Sequence, residues 1–302
     1  MFNVENLAGK LPDCSFINYV SSFDFVCLTE TFADATFDFN GLFTEHVEFV
    51  APAKRLSRQG RNSGGVLLLI KRAVCKFVKQ IQINCANTVA VRIDKSVFNA
   101  NKDVLLIASY VAPEHSPFYD SMDLKNGIVI LEENLVQEIR DEDLYILLCG
   151  DLNARTGCEQ PKLDDMSNYR PGFEDEGVRG DWADRSSKDT VVNSCGKSLL
   201  NLCFLLDSVI INGSCAGDRK GEYTYVSPHG SSAIDSFIVS EDLLSTNCNL
   251  RVGDRVDSWH MPVELRWSNV AYNTDKAVVT ESRENRVAWS EEFVQTYKDE
   301  LC

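Results

Sequence analysis

The sequence predicts an α/β protein in which mixed β-sheets are covered by helices. Short apolar runs bounded by turn residues recur along the chain and read as strands, and segments of helical periodicity lie between them. Connections of both hairpin-like and longer length join these runs, which favours mixed sheets over a purely parallel or antiparallel one.

In chain order the strand-like runs are Phe23–Leu28, Gly65–Ile70, Asn87–Ile93, Asp103–Tyr110, Tyr145–Cys149, Ser208–Ile211, Glu222–Val226, Ile234–Val239 and Met261–Trp267. Helical spacing is clearest over Ser116–Arg140, where Ile128, Leu131, Leu135 and Ile139 follow at intervals of three and four, and it returns over Val192–Leu206. Cys158–Lys188 is rich in Gly, Pro, Asp, Asn and Ser, which predicts a long surface loop, because regular patterns resume after it. The sequence therefore divides into one domain over 1–267 and a tail over 268–302, made of a polar linker and an amphipathic helix from Trp289 to Leu301.

Composition narrows the function classes. With 44% hydrophobic and 25% charged residues in 302, the chain can fill a sizeable core. Its longest apolar stretches, such as Val66–Ile70 and Val104–Ala108, fall far short of the ~20 residues a membrane helix needs. The N-terminus lacks the basic-then-apolar order of a signal peptide, so neither a membrane nor secretion is expected. The 11 cysteines are odd in number and contain no C-x-x-C pair, which argues against structural zinc or a disulfide framework and for reduced thiols in the cytosol or nucleus. A net charge of −15 opposes any approach to a polyanion, yet 51–80 holds no acid and carries Lys54, Arg55, Arg58, Arg61, Lys71, Arg72, Lys76 and Lys79. That stretch can face phosphate or serve as a lysine-rich strand edge.

Several polar residues sit where apolar runs end. Leu147-Leu-Cys-Gly-Asp-Leu-Asn-Ala-Arg155 delivers Asp151 and, two positions on, Asn153; strand alternation would aim both at one face. Such a pair suits a carboxylate that orients water beside an amide that holds an anionic oxygen, although Asp-x-Asn is also an ordinary turn. Glu30 ends the run Phe25–Thr29, and Asp235 lies among apolar neighbours, where a buried carboxylate needs a partner. His260 precedes the last run, whereas His46, His115 and His229 read as surface side chains.

Taken in order, Asn3-Val-Glu-Asn-Leu7, Leu28-Thr-Glu-Thr31, Ser109-Tyr-Val-Ala-Pro113, Gly150-Asp-Leu-Asn153, Thr224 with Ile234-Asp235, and Ser258-Trp-His260 resemble the endonuclease/exonuclease/phosphatase superfamily. Tyr110-Val-Ala-Pro-Glu-His-Ser-Pro117, Gly150–Arg155 and Ile234-Asp-Ser-Phe-Ile-Val-Ser240 are most similar to the endonuclease domain of LINE-type (non-LTR) retrotransposons. The resemblance, over roughly 1–267, implies a DNase I-like four-layer α/β sandwich, two mixed sheets face to face with helices outside. It implies a metal-dependent DNA endonuclease that nicks one strand to prime a reverse transcriptase, present in a longer parent protein or acting in trans. Glu30 and Glu5 would hold Mg²⁺ or Mn²⁺, Asp151 would orient or deprotonate the water, and Asn3, Asn153 and Tyr110 would donate to phosphate oxygens. His260 would be held by Asp235. Thr224 would support the phosphate or its neighbours, and Arg155 with Lys54, Arg55, Arg58 and Arg61 would meet the DNA backbone. The tail resembles the stretch leading to a reverse transcriptase domain.

Two departures favour impaired catalysis: Trp259 replaces the Asp of the usual Ser-Asp-His, and only Met1 and Phe2 precede Asn3, a short strand to hold Asn3 and Glu5. Two alternatives therefore stand beside the nuclease reading. One is a catalytically dead relic or binding module; the other is an enzyme of the same superfamily for abasic-site repair or another phosphoester.

Overall fold

The computed structural model describes residues 1–58, 60–124, 126–139, 143–161, 184–245 and 248–267. A four-stranded sheet runs in the order β1 (Phe2–Asn3), β2 (Phe25–Thr29), β4 (Val66–Lys71), β3 (His46–Ala51). A six-stranded sheet runs β5 (Val78–Ile81), β6 (Thr88–Ile93), β7 (Val104–Tyr110), β8 (Tyr145–Asp151), β12 (Asp235–Ser240), β9 (Ser208–Ile210). Two hairpins complete the strands, β10 (Tyr225–Ser227) with β11 (Gly230–Ser232) and β13 (Cys248–Val252) with β14 (Val263–Trp267), and a one-turn helix, α3 (Arg72–Cys75), follows β4 directly. Both sheets are mixed, since β1 lies parallel to β2 and β7 parallel to β8 among antiparallel neighbours. Among the described residues no helix is long and apolar enough to cross a membrane.

Side-chain parity sorts these strands into four layers. From β4, Val66, Leu68 and Ile70 share one core with Val104, Leu106 and Ala108 of β7, so the two sheets meet face to face. The alternate β7 residues Leu105 and Ile107 pack with Ile128, Leu131 and Leu135 of α4 (Gly127–Ile139) and Leu199 and Leu202 of α5 (Ser194–Leu205). On the far side, Leu67 and Leu69 meet Leu7 of α1 (Leu7–Lys10) and Phe16 and Val20 of α2 (Cys14–Ser21). The predicted four-layer sandwich is thus the observed one. Each fully buried aliphatic contributes about 1.5–3 kcal/mol, and β7, buried along its whole length, anchors the assembly.

Differences from the sequence reading have local causes. The predicted helix over Ser116–Arg140 is a 3₁₀ turn, Pro117–Tyr119, followed by α4 from Gly127; Asn126 Oδ1 caps the helix by accepting from Ile128 N at 3.0 Å. β3 and β5 escape the apolar-run criterion because each is an edge strand with largely half-exposed side chains. His46 is buried rather than superficial, its Nε2 lying 2.8 Å from Phe23 O at the start of β3. The short first strand is firmly held: Asn3 pairs with Thr29, Met1 O accepts from Val263 N at 2.9 Å, and Asn3 is fully buried. The described cysteines form no disulfide. Most of the predicted 158–188 loop, and the whole tail with its Trp289–Leu301 helix, lie outside the described residues.

Gly150, next to Asp151, has φ +148°, and a Cβ there would lie 1.8 Å from Ser109 O in the adjoining strand. Gly150→Ala should therefore push β8 from β7 and cost more than ~2 kcal/mol in urea unfolding, a site where backbone and packing penalties add; a loss under half of that would refute the tight packing.

Candidate active site

Register assembles the site. Tyr110 ends β7, Asp151 ends β8 and Asp235 begins β12; Tyr110 is paired with Asp151 in the parallel ladder and Asp235 with Asp151 in the antiparallel one. These three side chains form one row at the rim of the six-stranded sheet, on the parity that faces the other sheet. Across the gap, Asn3 ends β1 with the same inward parity, beside Thr29 of β2. Alternation would send Glu30 outward with Val26 and Leu28, but the strand stops at Thr29 and Glu30 turns with φ 49°. This left-handed step lets its carboxylate reach inward.

A continuous hydrogen-bond chain follows. Asn3 Nδ2 donates to Asp151 Oδ2 at 2.8 Å and Glu30 Oε2 at 3.0 Å, bridging the two sheets. Tyr110 Oη donates to Glu30 Oε1 at 3.0 Å. Asp235 Oδ2 lies 2.8 Å from His260 Nδ1, and His260 Nε2 lies 3.8 Å from Asp151 Oδ2. Asp151 and Asp235 are each only 2% exposed and His260 4%. Thr224 Oγ1 accepts from the amides of Ile234 and Asp235, both at 3.0 Å, fixing the start of β12. Glu5 Oε2 accepts from Ser258 Oγ at 3.0 Å and Trp259 N at 2.7 Å, tying the His260 turn to the first strand.

Charge is unevenly met here. Burial, then the neighbouring Asp235 carboxylate, pushes Asp151 up to about 8, against the pull of His260. Burial works against a charged His260, but Asp235 and Asp151 outweigh it and push the ring up to about 10, so it is an imidazolium at neutral pH. Burial, with Glu30 and Asp151 nearby, raises the Tyr110 phenol and keeps it a donor. Four carboxylates, Glu5, Glu30, Asp151 and Asp235, are thus joined in one network with a single cationic side chain. That concentration of carboxyl oxygens, with those of Glu30 and Asp151 bridged by Asn3, fits a hard divalent cation, whose charge would favour the ionised form of Asp151. Donor atoms of Asp151, Asp235 and His260 also lie within 4.8 Å of one another, but the Nδ1 contact to Asp235 already uses one imidazole nitrogen.

Glu30, Asn3, Tyr110, Asp151, Asp235 and His260 therefore converge, whereas other predicted site residues take different places. Asn153 is set by a turn rather than by strand parity: it has φ 48°, its amide donates to Asp151 Oδ1 at 3.1 Å, and its Nδ2 donates to Val111 O at 2.9 Å. Thr224 is fully buried, which removes it from any phosphate and leaves it a brace for Asp235. Arg155 points its fork at buried Asp189, with contacts of 2.8 and 2.6 Å, so those donors are not offered to DNA. Glu5 spends Oε2 on the His260 turn.

The acid-free stretch splits in two. Lys54, Arg55, Arg58 and Arg61 lie on the β3–β4 connection, which continues past Ala51–Val66 through the Lys54–Ser63 pair; Thr31 N and Phe32 N bond to Gly65 O and Gly64 O. This loop stands beside Glu30. Lys71 and Arg72 lie at the opposite end of β4, and Lys76 and Lys79 follow them there. Sequence reasoning missed Asn212, whose Oδ1 accepts from Phe237 N at 2.9 Å and whose Nδ2 donates to Asp235 O at 3.2 Å. Its only signal was a position at the end of the apolar run Ser208–Ile211.

The profile of the Endonuclease/Exonuclease/phosphatase family matches residues 2–250. Comparison with curated proteins finds no match. Similar folds occur in an AP endonuclease from Leishmania major, 15% identical with a TM-score of 0.58, covering 87% of this chain and 85% of that one. The 3′-5′ exonuclease NExo from Neisseria meningitidis is 15% identical, with a TM-score of 0.56 and coverages of 88% and 97%. The endonuclease domain of TRAS1, a telomere-specific non-LTR retrotransposon, is 15% identical, with a TM-score of 0.52 and coverages of 90% and 97%.

The buried acids and imidazole give the folded chain a distinct pH dependence. Asp151 rises from 3.8 to about 8 and His260 from 6.5 to about 10 on folding, so both bind protons more tightly in the native state. Each contribution is full below the unfolded value and lost as pH rises through the folded one. In chelator, the urea midpoint should therefore fall from pH 6.5 to 10, most steeply below pH 8 where both groups titrate, and His260→Gln should flatten the fall above pH 8. A midpoint that rises over this interval contradicts the assigned electrostatics.

Proposed function

The chain belongs to the Endonuclease/Exonuclease/phosphatase family, and on that footing we propose that it is a divalent-metal-dependent DNA endonuclease of non-LTR retrotransposon type, nicking one strand to prime reverse transcription. The observation that carries this reading is the convergence of Glu30, Asn3, Asp151, His260 and Asp235 at one rim with a basic loop beside it. A small phosphate monoester needs no such loop, whereas a polyanionic strand does. The motifs around Tyr110, Asp151 and Asp235 support the retrotransposon type, and a reverse transcriptase domain, in cis or in trans, is the partner that uses the nick.

The protein's own groups divide the hydrolysis between them. In its ionised form Asp151 orients a water and takes its proton as the water oxygen bonds to phosphorus and one P–O ester bond breaks. His260, held by Asp235 with Nε2 facing the rim, donates to a non-bridging oxygen while its positive charge offsets the growing negative charge. Asn3 and Tyr110 are neutral donors placed to turn from Glu30 toward phosphate oxygens. Glu30 and Asp151 would hold Mg²⁺ or Mn²⁺, which when bound supplies positive charge to the phosphate and the leaving oxygen. Glu5 engages the backbone amide of Trp259, so that bond does not depend on the side chain at this position.

Purified protein should nick supercoiled plasmid with Mg²⁺ and not with chelator. Asp151→Ala should lower the rate by ~10²–10³-fold, as loss of one charge-stabilising group does. Activity seen only in Trp259→Asp would overturn the reading in favour of a broken site, and strong preference for an abasic over an intact duplex would reassign it to repair. Asp235→Asn, which keeps the shape but removes the charge beside His260, should cost ~10–100-fold in kcat; unchanged kcat would exclude Asp235 as the residue that holds the imidazolium.

A further inference from the structure

Two arginines near this rim are held in the same unusual way. The Arg61 guanidinium carbon lies 4.4 Å from the ring centre of Phe32, two residues after Glu30. The Arg255 guanidinium carbon lies 4.0 Å from the ring centre of Trp259, one residue before His260. Along the hydrogen-bond chain, Glu30 and His260 are at opposite sides of Asp151, linked to it through Asn3 and by a 3.8 Å contact. One stack therefore adjoins each end of the candidate site.

Both platforms are fixed. Asn62 Nδ2 donates to Phe32 O at 3.1 Å and Asp34 Oδ2 at 3.0 Å, and Phe32 N bonds to Gly64 O. Trp259 N donates to Glu5, Val226 N donates to Trp259 O at 2.9 Å, and Arg255 Nε donates to Ser258 O at 3.0 Å. Both arginines are exposed, and among the described residues neither has a carboxylate partner. This matters in a chain of net charge −15, where a free carboxylate would be the easiest partner to find. A guanidinium stacked on a ring loses little further freedom when its edge meets a phosphate, and its planar fork suits bidentate contact.

We infer that Arg61 on Phe32 and Arg255 on Trp259 are paired phosphate grips that hold the nucleic-acid backbone on either side of the scissile phosphate. The inference rests on the nuclease reading and deepens it by naming what fixes the strand in register. Trp259 then has a use of its own as the platform that aims Arg255.

The test is the salt dependence of binding of a short DNA duplex, read by fluorescence anisotropy in chelator, with plasmid nicking measured in parallel. Arg61→Ala and Arg255→Ala should each make the slope of log K against log [salt] shallower by about 0.9, and the double variant by about 1.8. Trp259→Ala should reproduce the Arg255→Ala slope, whereas Trp259→Phe should keep the native one. Arg72→Ala, at the opposite end of β4, should change nothing. A native slope in Arg255→Ala with unchanged urea unfolding overturns the grip, as does a flattened slope in Arg72→Ala equal to that of Arg255→Ala. If the slopes shift but the native chain never nicks plasmid, the grips stand and the nuclease reading falls; if it nicks and the slopes do not move, the reverse holds.

Discussion

Two aspartates buried opposite one another on adjacent strands constitute the constraint around which this structure is built. Asp151 and Asp235 face each other in the β8–β12 register, almost without solvent. Such a pair is tolerable only if each carboxylate is bonded and a positive charge lies near. The chain supplies His260 to Asp235, Asn3 to Asp151, and a shared attraction that keeps the imidazole protonated. The first strand, the Ser258–His260 turn and the ends of both sheets are therefore tied to one site, although they are far apart in sequence.

The sandwich supports this cost by placing it at the edge of a well-packed core. Inward parity carries Leu147 and Cys149 into the inter-sheet core and, at the next inward position, delivers Asp151 to its rim. Left-handed backbone gathers at the same rim: Glu5 at φ 45°, Glu30 at 49° and Asn153 at 48°. Each such residue costs of order 1–3 kcal/mol when strained, which the surrounding sheets must over-determine. Hydrogen bonds through Asn3 Oδ1 and Asp151 Oδ1 to the amides of Glu5 and Asn153 hold two of these turns.

Position reconciles the net acidity of the chain with the proposed binding of a polyanion. Carboxylates are concentrated where, on the proposed reading, a cation and a phosphate would be received together, and Arg61 and Arg255 beside them stand on aromatic rings rather than in ion pairs. Arg155 and Arg185 serve the opposite purpose: the first pairs with Asp189, and the buried second donates to the carbonyls of Gly157, Glu159 and Asn212. Arginine identity alone does not separate these roles, because burial and available partners decide them.

By itself the sequence determined the central strands, because apolar runs such as Val104–Tyr110 and Tyr145–Cys149 fit a sheet covered on both faces. It also marked Glu30, Asp151, Asp235 and His260, since polar residues at the ends or inside of such runs require an explanation. Edge strands β3 and β5 were hidden by half-exposed, mixed side chains, and the true start of α4 by a capping Asn126 inside an apparently continuous pattern. Tertiary structure alone decided that Asn3 bridges two acids, that Glu30 turns inward against strand parity, that Thr224 braces the start of β12 and that Arg155 pairs with Asp189. The reason is physical: alternation and hydrophobicity are local and survive in one dimension, whereas register between distant strands and the partner of a buried charge are set only when the two sheets close on each other.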